Sequence, residues 1–156
     1  MRGNYEVRIR NNGLRITESK LESMDTDLRL VKKKLNTFTD LDAWKEGHQL
    51  VLMVYRLTKS FPREEVYGLV SQMRRCSASV TSNIAEGFSR QSYKEKVQFY
   101  SMGLGSLTEL QNDLFIARDV VFLATEDFNR LMQQSIRVHR IINGLIKSSK
   151  AIIRNS

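Results

Sequence analysis

The sequence has little of several residue types, and each scarcity excludes a class of protein. Its 156 residues include one cysteine, Cys76, so an intramolecular disulfide or a cysteine-cluster metal site is excluded. One proline and eight glycines give too few turns for a β-sandwich or barrel. No apolar run approaches the roughly 20 residues of a membrane span, and the N-terminal 15 residues lack the apolar core of a secretory signal. We therefore expect a cytoplasmic protein without membrane attachment.

Charge is abundant and unbalanced. Lysine and arginine total 25 against 17 acidic residues, for a net charge of +8 and a pI near 9.8. An excess of this size favours polyanionic partners, chiefly nucleic acid, because binding releases condensed counterions. The alternative is a basic domain with no polyanionic partner.

From Leu41 onward, apolar residues recur at helical spacing. The first predicted helix covers residues 42–60 and ends before Phe61–Pro62. Its stripe is Trp44, His48, Val51, Tyr55 and Thr58, widened by Leu50, Val54 and Leu57. The second follows Glu64 and Glu65 and ends near Gly87. Its stripe is Val66, Leu69, Met73, Cys76, Val80, Ile84, Gly87 and Phe88.

Two further helices follow, each with a candidate cap. Ser92 and Glu95 fit a capping box that opens the third helix, and Thr125 fits the cap of the fourth. The third stripe is Val97, Tyr100, Leu104, Leu107, Leu110, Leu114, Ala117 and Val121. The fourth is Phe128, Leu131, Ser135, Val138, Ile142, Leu145, Ser149 and Ile152, at strictly alternating steps of three and four.

Four amphipathic helices with short links predict an all-α fold, an antiparallel up-down-up-down four-helix bundle over residues 41–156. Residues 1–40 differ, being polar and aperiodic as far as Ile16. We expect an N-terminal arm there, partly disordered, with a short helix where Leu21, Met24, Leu28, Val31 and Leu35 repeat. The alternative for that repeat is a coiled-coil strand that binds a partner.

The residues do not form a recognisable catalytic pattern. His48 and His139 lack metal-ligand spacing, and no Glu-x-x-His motif occurs. Gly103–Ser106 lacks the Gly-Lys-Ser/Thr of a phosphate loop, so both glycines there predict close approach of another backbone. Cys76 lies on an apolar stripe with no histidine nearby in the sequence. We expect neither an enzyme nor a cofactor nor a metal.

Residues 76–87, CSASVTSNIAEG, are mostly small and polar. Small side chains on more than one face would let the bundle and another subunit approach at once. Polar residues beside such a surface need hydrogen-bond partners if buried. The predicted structural or oligomer network is Arg75, Asn83, Glu86, Ser106 and Glu109. The alternative is a tight contact within the bundle whose polar residues are solvated.

Basic side chains are concentrated at the junction of the second and third helices and along the fourth. Arg75 shares a helix face with Ser79 and Glu86, whereas Arg74 points about 100° away, leaving it free to meet a phosphate. The predicted nucleic-acid contacts are Arg74, Arg90, Lys94, Lys96, Arg130, Arg137, Arg140 and Lys147. A solvated charged face is the alternative. Since no base-reading motif is present, binding should be directed to the backbone.

Several segments carry a family resemblance over about residues 40–150. They are Leu41–Trp44, Phe61–Pro62, Gln72–Arg75, Ser82–Phe88 (SNIAEGF), Arg90, Phe99–Tyr100 and Gly105–Leu110 (GSLTEL). In their order and spacing the chain resembles the bacterial four-helix-bundle proteins encoded in intervening sequences of 23S ribosomal RNA genes. The accessory variability proteins of diversity-generating retroelements are relatives. The chain departs from the pattern at Cys76, where alanine is usual, and at Met102–Gly103.

The resemblance implies a homo-oligomer, a pentamer, with a basic surface and no catalytic role. It also implies association with nucleic acid, for which we expect RNA in preference to DNA, and in the retroelement relatives partnership with a reverse transcriptase. DNA remains the alternative nucleic acid. The matching polar positions are Arg74, Arg75, Asn83, Glu86, Arg90, Ser106 and Glu109. We therefore expect a non-enzymatic, oligomeric RNA-binding bundle. The alternative is a protein-interaction scaffold that docks a partner such as a reverse transcriptase.

Overall fold

The structure is a computed structural model that describes residues 35–156, so most of the expected N-terminal arm lies outside the described residues. Its four α-helices are α1 (Asp42–Leu57), α2 (Leu69–Ser89), α3 (Tyr93–Asp119) and α4 (Thr125–Asn155). Short 3₁₀ turns cover Phe38–Asp40, Thr58–Ser60 and Arg63–Val66. The described residues contain no strand, so the predicted all-α class is confirmed.

Each helix packs against the one before it, and α4 also packs against α1. Short links make successive helices antiparallel, so the four close into the predicted up-down-up-down bundle. The core lies along the centre and contains apolar side chains from all four helices. The carboxyl end of α4 therefore lies at the same end of the bundle as the α2–α3 turn.

The helix ends agree only in part with the expected caps. Ser92 precedes α3 as predicted, but its side chain makes no capping hydrogen bond. Thr125 is the first residue of α4 and Ala124 takes the cap position, so the predicted cap is off by one residue. Ala124 has an extended backbone and so lies outside the helix, which makes it the cap residue and Thr125 the first helical residue.

The α3–α4 turn holds a valine in a left-handed conformation. Val121 has φ of 64° and is 86% exposed, so its predicted place in the α3 stripe is wrong. The next two amides, of Phe122 and Leu123, both donate to the carbonyl of Ala117, at 2.9 and 3.1 Å. Leu123 is buried and the Phe122 ring lies 5.8 Å from that of Phe61. Burial of these two side chains offsets the strain of a β-branched residue at positive φ.

Regular spacing predicted the core of α2 and α4 well. In α2, Met73, Cys76, Val80, Ile84 and Gly87 are buried, as expected. In α4 the expected stripe is buried from Phe128 to Ile142, but Ile146 enters the core in place of Leu145. Ile152 is 39% exposed, so the apolar seam stops short of the last predicted residue.

The core face of α1 lies beside the predicted stripe. Its buried residues are Ala43, Gly47, Leu50 and Val54. Trp44 and His48 remain half-buried at the edge of this face, where their rings stack 4.8 Å apart. Aromatic rings can stack on each other at the boundary between core and solvent. The predicted stripe through Trp44 therefore does not follow the centre of the buried face.

Two of the glycines show where α2 and α3 approach most closely. A Cβ at Gly103 would lie 3.5 Å from the carbonyl oxygen of Val80, which confirms the predicted backbone approach there. A Cβ at Gly87 would lie 2.5 Å from Cε1 of Tyr100. A Cβ at Gly105, by contrast, would meet nothing within 4 Å, so the close approach expected there is wrong within one protomer.

This contrast generates a paired prediction. Gly87→Ala should lower the free energy of unfolding by about 1–3 kcal/mol, because the buried Tyr100 ring must move. Gly105→Ala should raise it by up to about 1 kcal/mol through helix propensity. Urea unfolding of both variants measures the two effects. Equal changes at the two positions would contradict the packing described.

A second pair tests the α4 seam. Ile142 is fully buried and Ile136 on the same helix is 48% exposed. Ile142→Asp should destabilise the bundle by about 3–5 kcal/mol, because it buries a charge without a partner. Ile136→Asp should leave thermal unfolding, followed by circular dichroism, nearly unchanged. A comparable loss in both variants would rule out the assigned faces.

Candidate nucleic-acid interface

The eight cations predicted to contact nucleic acid fall into two groups. Five have a hydrogen-bond or ion-pair partner: Arg74, Arg90, Lys96, Arg130 and Arg137. The other three are exposed and have no such partner among residues 35–156: Lys94, Arg140 and Lys147. The predicted set is therefore not a single surface, and the position of each partner decides what its cation does.

The roles expected for Arg74 and Arg75 are reversed: Arg74 makes a structural contact, and Arg75 is exposed. The Arg74 Nε donates to the buried Thr58 hydroxyl at 2.9 Å, and its guanidinium lies 5.1 Å from the centroid of the Tyr55 ring. These two contacts of Arg74 link α2 to the end of α1. Arg75 is exposed and donates to Gln72, one turn earlier on its own helix.

Two of the expected contacts instead stabilise the α2–α3 turn. Lys96 donates from Nζ to the carbonyls of Phe88 at 2.7 Å and Gly87 at 3.2 Å, which caps the carboxyl end of α2. Burial in this position lowers the pKa of Lys96. Arg90 forms an ion pair with Glu86 and lies 4.6 Å from the Phe99 ring centroid. Within this basic cluster, Lys94 is exposed and has no hydrogen-bond or ion-pair partner among residues 35–156.

The first half of α4 has its cations paired with acidic residues. Arg130 lies 3.6 Å from Asp127 on the same helix. Arg137 lies 2.8 Å from Glu46 of α1, and Gln134 donates to the same carboxylate at 2.9 Å. Glu46 therefore links α1 to α4 and neutralises Arg137. These two arginines contribute little net positive field.

The sequence from Phe128 to Ser156 contains no acidic residue. The cations in the second half of α4 therefore have no acidic neighbour on their own helix. Four exposed cations lie there, and we name them the α4 basic row: Arg140, Lys147, Lys150 and Arg154. None has an ion-pair partner within residues 35–156. Arg140, Lys147 and Arg154 are seven residues apart and so follow one side of the helix, about 10.5 Å per step. Lys150 and Arg154 belong to the positive charges that the sequence places on this helix but were not in the predicted set of contacts, although the seven-residue spacing includes Arg154.

A cavity of about 600 Å³ lies beside this row. Its lining combines cationic, amide and aliphatic side chains: Asn143, Ile146, Lys147, Lys150, Ile153 and Arg154. Arg154 also lies in the last turn of this helix, where the helix dipole favours a cation. This end of α4 thus offers an uncompensated positive surface to an anionic ligand.

The predicted polar network forms only in part. Ser106 of α3 shares a hydrogen bond of 2.9 Å with Ser79 of α2, and Asn83 donates to the Ser79 carbonyl at 2.8 Å. Cys76 donates from Sγ to Glu109 at 3.3 Å. We call these five residues the α2–α3 polar seam. Glu86 does not join it, because its carboxylate pairs with Arg90.

Cys76 is held as a thiol. Burial, with a contribution from its hydrogen bond to Glu109, raises the pKa of Cys76 to about 12. Since the thiolate is the nucleophilic form, this cysteine is poorly suited to covalent chemistry. Among residues 35–156, no three His, Cys, Asp or Glu side chains are placed to hold a metal ion. No helix of that range is long and apolar enough to cross a membrane.

Asp113 is a buried carboxylate next to the seam; in the sequence it is one of several acidic residues whose spacing gives no reason to expect a pair, and its burial was not predicted. It is 6% exposed, and its Oδ2 has no hydrogen-bond partner. Burial raises the pKa of Asp113, and the nearby charge of Glu109 adds to the effect. The signal available in the sequence is its position three residues after Leu110, inside the apolar spacing of α3.

Replacing this carboxylate should stabilise the protein in a pH-dependent way. Because the pKa of Asp113 is higher in the folded than in the unfolded chain, stability falls as pH rises above about 4. Asp113→Asn should therefore raise the free energy of unfolding at pH 7 by about 1–3 kcal/mol and have less effect at pH 4. Urea unfolding at both values measures this. Asp42→Asn, at an exposed site, is the control; an equal gain there, or no gain in Asp113→Asn at pH 7, would contradict the assignment.

Comparisons with known proteins agree with this architecture. The chain is similar to a crystallised protein of unknown function from the S23 ribosomal protein family of Bacteroides thetaiotaomicron, with a TM-score of 0.63 and 17% identity. The alignment covers 67% of this chain and 95% of that one, and at this identity it supports the shared fold alone. No curated protein sequence matches significantly. The family model described as 23S rRNA-intervening sequence protein matches residues 39–144. The chain therefore belongs to the 23S rRNA-intervening sequence protein family.

Proposed function

We propose that this protein is a non-enzymatic, cytoplasmic RNA-binding bundle that holds the phosphate backbone through the α4 basic row. The observation that carries the proposal is the concentration of four unpaired cations on a stretch of α4 with no acidic residue. Membership of a family named for an intervening sequence in ribosomal RNA supports RNA as the polyanion.

The expected mode of binding follows from the chemistry of the row. Contacts from lysine and arginine to phosphates carry no information about the bases, so affinity that depends on them should vary little with sequence. Each phosphate neutralised releases condensed counterions, so four contacts give a slope of about −3 to −4 for log affinity against log salt. Such binding by one copy is weak at physiological salt.

We propose that the protein forms a homo-oligomer, a pentamer, that multiplies this weak contact. Several copies that bind one RNA gain avidity without new contacts. The outer side of α3 supports self-association, because it exposes Met102 and Ile116 and leaves open space at Gly105. A neighbouring backbone could approach closely there without meeting a side chain.

A protein-interaction scaffold is the second candidate, with a polymerase such as a reverse transcriptase as the partner. The exposed apolar side chains of α3, Met102, Phe115 and Ile116, favour it. A partner held by apolar contact should stay bound after nuclease treatment and in high salt, whereas RNA held by the α4 basic row should dissociate in high salt. A pull-down under both conditions separates the candidates.

Charge removal in the row provides the direct test. Arg140→Gln with Lys147→Gln should weaken binding of a fluorescent hairpin RNA about tenfold at 0.1 M salt and make the salt slope shallower by about two. Fluorescence anisotropy measures both quantities. Thermal unfolding should be unchanged, since both side chains are exposed.

The matched control removes the same charge at the opposite end of the bundle. Lys59 and Arg63 are exposed, lie in the connection between α1 and α2, and have no ion-pair partner within residues 35–156. Lys59→Gln with Arg63→Gln should leave RNA affinity within about twofold. If the two double variants bind RNA equally poorly, total charge rather than the α4 basic row governs binding.

A further inference from the structure

The α4 basic row also bears on which form of RNA is bound, an inference that rests on the function proposed above. Nucleic acids offer two kinds of target, unpaired bases and a paired helix with regular phosphate rows. We infer that the row binds the backbone of double-helical RNA rather than single strands. Three properties of the second half of α4 support this: its ring content, its shape and its lack of acidic groups.

The stretch of α4 that contains the row has almost nothing on which a base could stack. After Phe128, which is buried, α4 contains no Phe, Tyr or Trp. His139 is the one ring in this stretch, and its Nδ1 lies 3.1 Å from the amide nitrogen of Asn143. Proteins that hold single strands rely on aromatic side chains that stack with successive bases. That source of affinity is missing here.

The shape of the surface also suits a rigid target. Helix α4 runs without interruption from Thr125 to Asn155, about 46 Å at 1.5 Å per residue. The row thus keeps a fixed spacing along one helix, and the cavity beside it is lined by α4 alone, whereas single strands are bound in grooves that follow a flexible backbone. A duplex presents fixed rows of phosphates, so binding it does not require the RNA to be ordered. Double-stranded RNA is recognised mainly by shape and by its phosphates and 2′-hydroxyls.

The polar side chains beside the cations offer acceptors to an RNA backbone. Asn143 and Ser148 are exposed and lie between members of the row, and their donor groups are engaged by His139 and Leu145. Their oxygens can accept a hydrogen bond from a 2′-hydroxyl, a group that RNA has and DNA lacks. With no carboxylate between Phe128 and Ser156, no side chain here repels the phosphates.

The test compares a 20-base-pair RNA duplex with one of its strands, chosen so that it cannot fold on itself. We expect the unmodified full-length protein at 0.1 M salt to bind the duplex at least about tenfold more tightly. Equal or tighter binding of the single strand overturns the inference and leaves the proposed RNA-binding function standing. Failure to bind either RNA overturns both.

Variants then separate phosphate contact from base stacking. Arg140→Gln with Lys147→Gln should weaken duplex binding about tenfold. Two ring variants should leave it within about twofold: His139→Ala, and Tyr93→Ala beside the exposed Lys94 of the α2–α3 turn. Both rings are exposed, so circular dichroism should show unchanged folding. A larger loss in either ring variant than in the charge variant contradicts the inference.

Discussion

The close approach of α2 and α3 is the constraint on which the rest of the structure depends. A side chain would not fit at Gly87, where the Tyr100 ring occupies the space, and a Cβ at Gly103 would already be in van der Waals contact with the Val80 carbonyl oxygen. At this separation, short polar groups such as those of Ser79 and Ser106 can bond directly across the interface. The tight turn then brings the first residues of α3 under the end of α2, where Lys96 meets the free carbonyls. One packing contact therefore determines both the polar seam and the role of the nearby cations.

Net charge is a poor guide to where a basic protein binds its ligand. Much of the excess lysine and arginine here serves the fold: Arg74 on Thr58, Lys96 on two carbonyls and Arg137 on Glu46. These groups keep their charge, but their geometry is set by protein partners. Unpaired cations remain singly at positions such as Lys59 and Lys94, and as a group along the second half of α4. The function proposed for the protein follows from that division.

The sequence alone was sufficient for the fold class and for much of the core. In α2 and α4 the alternation of three and four is regular enough to define the buried face from Met73 to Ile84 and from Phe128 to Ile142. The apolar spacing predicted the wrong residues at two places. On α1, Trp44 lies at the edge of the buried face, and at Val121 the helix has already ended in a turn. Gly103 and Gly105 look alike in sequence, and the position of α2 alone distinguishes them.

The candidate site was less predictable, because a cation's role depends on partners that the sequence does not bring together. Glu86 and Arg90 are four residues apart on one helix, so their pairing could have been foreseen. Glu46 and Arg137 belong to different helices, and their contact exists only in the folded bundle. The basic face was expected at Arg130, Arg137 and Arg140, but acidic partners neutralise the first two, so the unpaired charge lies further along α4, at Lys150 and Arg154 among others.

Cys76 turns the α2–α3 contact into something that can be observed. With a pKa near 12 and a buried sulfur, the thiol is almost entirely protonated at neutral pH and shielded from reagents. Alkylation can proceed only when the two helices separate, since separation both exposes the sulfur and returns its acidity to that of a free cysteine. The rate at which this single thiol reacts is thus a built-in measure of how often the most tightly packed part of the bundle opens.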